Sequence, residues 1–169
     1  MKTIQKLLIL LIAFLAFAPT ATGNVIADTQ SEEALELTKS AFDYLESQGY
    51  SPRLQLRKGQ LRIVFTVEGH KIINLRCVNE VNDKGFIIQL WLARDLKALG
   101  FSNEKGLDVA NEINFQYARV KSCVTGESII VDSTSFISNF YQFTYQISEI
   151  ITAILAGDDI ILKRYKQGK

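Results

Sequence analysis

The chain has 169 residues, 47% of them apolar, with two cysteines, one histidine and a formal charge of +1. Those values exclude a disordered chain, a disulfide-stapled miniprotein and a polybasic nucleic-acid tail. Once a leader is removed, about 145 residues remain, enough for one domain that buries roughly two-thirds of its unfolded surface without a staple or a metal.

The amino terminus sets the compartment. Lys2 and Lys6 precede an unbroken apolar run from Leu7 to Ala18, then Pro19 and small residues, which is the layout of a secretory signal peptide. Twelve apolar residues rise only about 18 Å as a helix, short of a hydrocarbon core of about 30 Å. The expected leader is 1–23, with cleavage after Gly23 or, on the alternative small-residue pair, after Ala27. No cysteine follows the run, so a lipid anchor is not expected. The mature chain is expected to be periplasmic or secreted, with no membrane span. Its 17 bases face 18 acids. Mixed signs near neutrality give little long-range pull on phosphate backbones, so no nucleic-acid partner is expected.

From Thr29 the pattern turns helical, with Ala34, Leu35, Ala41, Phe42 and Leu45 on one side. Thr29 and Glu32 suit a capping box and Gly49 suits a stop, placing a helix over about 30–48. Short strands follow. Leu54 and Leu56 alternate with Arg53, Gln55 and Arg57; Leu61, Ile63, Phe65 and Val67 alternate with Arg62 and Thr66. Period two with one polar side describes an antiparallel sheet wet on one face. A third strand carries Ile73, Leu75 and Cys77, and a fourth runs from Phe86 to Leu92.

Ala93 to Leu99 reads as a helical turn ended by Gly100, and Ser102 or Asn103 can cap a helix reaching Tyr117, with Leu107, Ala110, Ile113, Asn114 and Tyr117 on its inner side. A hairpin turns at Thr125-Gly126, and the last helix, about 139–156, carries Phe140, Phe143, Ile147, Ile150, Ile151 and Ile154. Gly157 then reads as its stop, Asp158-Asp159 as its exit, and 163–169 as a solvated basic tail. The fold class is α+β: an N-terminal helix, a strand meander, a helix, a β-hairpin and a C-terminal helix, packed on one antiparallel sheet in a single domain over 28–162.

Catalytic chemistry is hard to assemble from these residues. His70 stands in a Gly-His-Lys turn, the glycines form neither GxGxxG nor a P-loop, and no Asp-x-Asp calcium loop occurs. No catalytic residue, metal site or cofactor is expected. Cys77 and Cys123 are a candidate disulfide in an oxidising compartment. Strand parity opposes it, because Cys77 falls with Ile73 and Leu75 whereas Cys123 falls with Arg119 and Lys121. Asn111 and Asn114, three residues apart on a helix side, can hydrogen-bond a neighbouring strand end and fix how that helix docks.

The order of elements, with Gly49-Tyr50 after the first helix, Leu61 to Val67 leading to Gly69, Asn111 to Arg119, and the strand from Glu127 to Asp132, resembles the YbjN domain family of bacterial sensory transduction regulators. The resemblance runs from about Ser31 to Ala156. It implies a fold like that of type III secretion chaperones, pairing into homodimers, and a non-catalytic module that holds another polypeptide. It brings no catalytic residues, and the export signal departs from the leaderless members of the family. Trp91, Tyr141 and Tyr145 are the candidate binding residues, and a small-molecule carrier with a pocket between sheet and C-terminal helix is the alternative.

Overall fold

The computed structural model describes residues 31–57, 59–68, 71–79 and 85–168. The expected leader, Thr29, His70 and residues 80–84 lie outside the described residues. Three helices and six strands follow in the order α1 (Glu32–Ser47), β1 (Arg53–Arg57), β2 (Gln60–Val67), β3 (Lys71–Asn79), β4 (Phe86–Asp95), α2 (Asn103–Gln116), β5 (Lys121–Thr125), β6 (Ser128–Ile137) and α3 (Phe140–Gln167).

The strands form one antiparallel sheet in the order β1-β2-β3-β4-β6-β5. Its inward residues, among them Ile63, Phe65, Ile73, Leu75, Cys77, Ile88, Leu90, Leu92, Ile129 and Val131, are buried. They meet Ala34, Leu37, Ala41 and Leu45 of α1, Val109, Ala110 and Ile113 of α2, and the apolar stripe of α3 from Phe143 to Ile161. This is the α+β layout expected from the alternation of residue types. All three helices share one side, and among the described residues no layer covers the other side of the sheet.

The second and third helices start at caps the sequence offers, whereas the first is capped by Ser31 in place of the expected Thr29. Ser31, Ser102 and Asn139 accept backbone N–H groups from Ala34, Lys105 and Gln142. Gly49, at φ 84, ends α1 as anticipated. Tyr44 meets Phe140 and Phe143 edge-on, at 6.2 and 5.9 Å between ring centroids, and so ties α1 to the start of α3.

Four local expectations are corrected. First, β4 does not end at Leu92. Asp95 still pairs with Ser128, and Arg94 points inward to a carboxylate on α3. The chain turns only afterwards, where the Phe101 N–H donates to the Leu96 carbonyl at 2.8 Å. Second, Leu107 is half exposed, and Gly106 and Val109 take the inner positions of α2. Third, Gly157 does not stop the last helix. A Cβ there would lie 2.8 Å from Val131 Cγ1 and 3.4 Å from Ile113 Cγ2, so glycine is what allows α3 to cross β6 and α2 closely. The stripe resumes with Ile160 and Ile161.

The fourth correction concerns the end of the chain. Residues 163–167 are the last turns of α3, and Arg164 Nε donates to Glu112 Oε2 on α2 at 2.7 Å. Asp158 is no exit residue. It is fully buried and accepts from Arg94 Nε and Nη2, each at 2.7 Å. Lys71 lies 3.8 Å away and is matched by Asp159 at 3.1 Å and Glu68 at 2.8 Å. Burial works against the Lys71 ammonium, but the hydrogen bonds it donates to Glu68 and Asp159, with the charges of Asp159 and Asp158, outweigh it and raise its pKa.

Candidate functional site

The uncovered side of the sheet holds a row of polar side chains fixed by strand pairing. Gln55 stands opposite Arg62, Arg76 opposite Gln89, and Gln89 opposite Thr134, and the Ile63–Leu75 pairing brings Arg62 alongside Arg76, so one line crosses β1, β2, β3, β4 and β6. The guanidinium of Arg62 donates to the side-chain oxygen of Gln55. That of Arg76 donates to Gln60 Oε1 at 2.7 Å and to Gln89 Oε1 at 2.9 Å. Arg76 Nε is shielded from solvent and has no acceptor among the described residues.

The next row carries Asn74 opposite Trp91 and Trp91 opposite Asp132, and the Arg62 guanidinium lies over the indole at 5.8 Å from its centroid. Arg57, Gln60, Arg62, Arg76, Gln89, Trp91, Cys123, Ile130 and Asp132 line a hollow of about 480 Å³.

Electrostatics in the hollow follow from these contacts. Burial, and then the neighbouring charge of Arg57, lower the pKa of Arg62. Burial raises that of Asp132, and a hydrogen bond with Gln89 only partly offsets it. Both arginines of the row are held by neutral amide oxygens, so their charge is oriented without being cancelled.

Trp91 is thus a wall of the hollow. Tyr141 and Tyr145 project from α3 with 77% and 71% of their surface exposed, away from that hollow. Tyr145 instead flanks a second depression of about 380 Å³, along the seam between β6 and α3, with Arg119, Ser133, Gln146 and Glu149. Beside it β6 has no strand partner on one side among the described residues, because β5 reaches no further than the Lys121–Asp132 pair.

Asn114 makes a two-way link to β5. Its amide donates to the Ser122 carbonyl at 2.9 Å, and its oxygen accepts the Ser122 N–H at 2.7 Å. Asn111 is exposed and takes no part in this link. Cys77 and Cys123 are not bonded to each other: one thiol is buried beneath α1 and the other is exposed on the open side. Burial pushes the Cys77 thiol up to about 12, against a smaller opposing hydrogen bond with Thr38.

Trp91 stands out in the sequence as a candidate, but Arg62, Arg76, Gln60 and Gln89 do not. Their alternation was visible as a polar sheet side. Their assembly into one row depended on strand order and register, which periodicity does not supply. Among the described residues, no three His, Cys, Asp or Glu side chains converge to hold a metal ion, and no helix is long and apolar enough to cross a membrane.

No family model matches this sequence, and no curated protein matches it. Among solved structures, the chain is similar to the crystal structure of an uncharacterized protein from Methanothermobacter thermautotrophicus. The TM-score is 0.51 at 14% identity, over 76% of this chain and 99% of that one. The likeness is one of fold. It extends to nearly the whole of the archaeal chain and carries no activity with it.

Proposed function

We propose that this chain is an exported, non-catalytic binding module of the YbjN type, a sensory or regulatory accessory domain that holds another polypeptide against the open side of its sheet. One observation carries the reading. Six strands present an uncovered surface on which Trp91, Ile72, Ile130 and Phe136 stand among oriented polar groups, with Ile72 and Phe136 about half exposed. A surface that mixes apolar anchors with placed donors suits holding a chain segment.

The test places a photo-activated cross-linking residue at Ile72, with a control at Leu107 on α2, and adds Trp91→Ala to the first. Adducts to a polypeptide at position 72, reduced by the Trp91 change and missing at position 107, are expected. Equal adducts at both positions, or none at position 72, would remove the assignment.

A second reading, the small-molecule carrier, draws on the depression between β6 and α3 beside Tyr145, whose volume falls in the ordinary range for ligand sites. Thermal-shift screening tests it, since a ligand bound only by the folded chain raises the midpoint by mass action. A ligand whose shift survives Tyr145→Ala would not be using that depression.

A further inference from the structure

The charge of this molecule is near zero in sum but segregated in space. The outward positions of the strands hold five cations: Arg53, Arg57, Arg62, Arg76 and Lys121. Among the described residues, the carboxylates at outward strand positions are Asp132, bound to Gln89, and Asp95 at a strand end, whose Oδ1 accepts the Ala98 N–H. None of the five cations meets a carboxylate within ion-pair distance among the described residues. Lys71, Arg94, Arg119 and Arg164, elsewhere in the chain, each do. On the far side of the molecule, α1 exposes Glu32, Glu33, Glu36, Asp43 and Glu46 against the single base Lys39.

We propose that the open side of the sheet takes an acidic polypeptide segment, whose carboxylates meet Arg57, Arg62 and Arg76 while an apolar side chain rests against Trp91; this deepens the polypeptide-holding reading and rests on it. Charge complementarity selects the occupant. Guanidinium groups held by glutamine oxygens keep their full charge and spare donors, and a carboxylate is the planar acceptor that fits them. Gln60 and Gln89 are tied to Arg76, so the row is ordered before anything arrives.

A protein segment fits better than a nucleic acid. Arg62 already lies over one face of the indole, and among the described residues no other aromatic ring lines the hollow to form the run of stacking platforms that successive bases use. Ile72, Ile130 and Phe136 offer contacts that a phosphate backbone does not use.

Trp91 is the sole tryptophan of the chain, so its emission reports on this surface directly. The experiment titrates the full chain with a tryptophan-free dodecapeptide carrying alternate glutamates among leucine and serine, with its glutamine counterpart, and with a single-stranded oligonucleotide of equal charge. Each is run at about 50 and about 300 mM salt. The glutamate peptide should change Trp91 emission, bind at least about tenfold more tightly than its glutamine counterpart, and weaken as salt rises. Arg62→Gln with Arg76→Gln should lose about tenfold for the glutamate peptide alone. Arg57→Gln with Lys121→Gln, at exposed positions, should lose in the same direction and guards against a folding defect, with thermal melts of all variants as the control.

Equal binding of the two peptides would overturn the acidic inference and leave the polypeptide-holding reading in place. Tighter binding of the oligonucleotide would overturn both. Binding of none of the three would overturn this inference, and the cross-linking at Ile72 would then decide the wider reading. Salt-sensitive self-association that blocks the peptide and is lost when the α1 carboxylates are neutralised would make the occupant a second copy, and would equally overturn it.

Discussion

Asp158→Asn removes one charge from the centre of the molecule while keeping nearly the same volume. The parent carboxylate is fully buried and accepts both Arg94 N–H groups at 2.7 Å. Asparagine retains one acceptor and sets an NH2 group near a guanidinium. Removing one partner of a buried pair costs about 3–5 kcal/mol, mainly because the remaining charge is left uncompensated. Arg94 keeps 24% of its side-chain surface in solvent, so partial rehydration puts the expected loss near the lower bound, about 3 kcal/mol. For a domain of this size that is a fall in melting midpoint of about 6–12 °C.

Urea titration followed by circular dichroism and by Trp91 emission gives the free energy, with coincident transitions as the two-state check. Arg94→Met combined with Asp158→Leu removes both charges and should recover most of the loss. A single variant within about 1 kcal/mol of the parent would refute the reasoning, because it would mean that α3 is not anchored to β4 through this carboxylate.

Asn114→Ala strands the N–H and carbonyl of Ser122 and should lower stability by about 1–3 kcal/mol, whereas Asn111→Ala, at an exposed position, should stay within about 0.5 kcal/mol; parallel urea titrations compare them. Burial raises the Asp132 pKa, so the folded state holds that proton more tightly than the unfolded state does. Its stabilising share is therefore present at low pH and lost as pH rises through the folded value. Asp132→Asn should raise the melting midpoint at neutral pH, and the difference should vanish in acid; a midpoint unchanged or lowered at neutral pH counts against the burial argument. With its pKa pushed up to about 12, Cys77 should resist a thiol reagent at about pH 8 until the chain unfolds, while the exposed Cys123 reacts at once. Mass spectrometry of the labelled protein would show one adduct in buffer and two in denaturant.

What the sequence made legible follows from which signals are local. Alternation in β1 to β3 places Ile63, Phe65, Ile73 and Leu75 inside and the arginines outside, because a strand puts successive side chains on opposite faces. Parity likewise separates the two thiols. The side-chain stripe of α3 was read only as far as Gly157, where local conformational preference competed with tertiary packing. The stripe itself, continuing through Ile160 and Ile161, held the better signal. Arg94 and Asp158 lie 64 positions apart, and nothing short-range pairs them. The same holds for the row across the sheet. Near-neutral composition had suggested interspersed signs, yet a total charge does not record on which side of a sheet each sign falls.

The arginine row has a consequence for how the chain finds its own alignment. If β2 or β3 slid by one residue during assembly, Arg62 or Arg76 would swing beneath the helices into the apolar core, and an isoleucine or leucine would be thrown into water in exchange. The misaligned ladder would thus be penalised twice at each affected strand. The charges on the open side therefore also hold β2 and β3 to one alignment, whatever they meet once the molecule is complete.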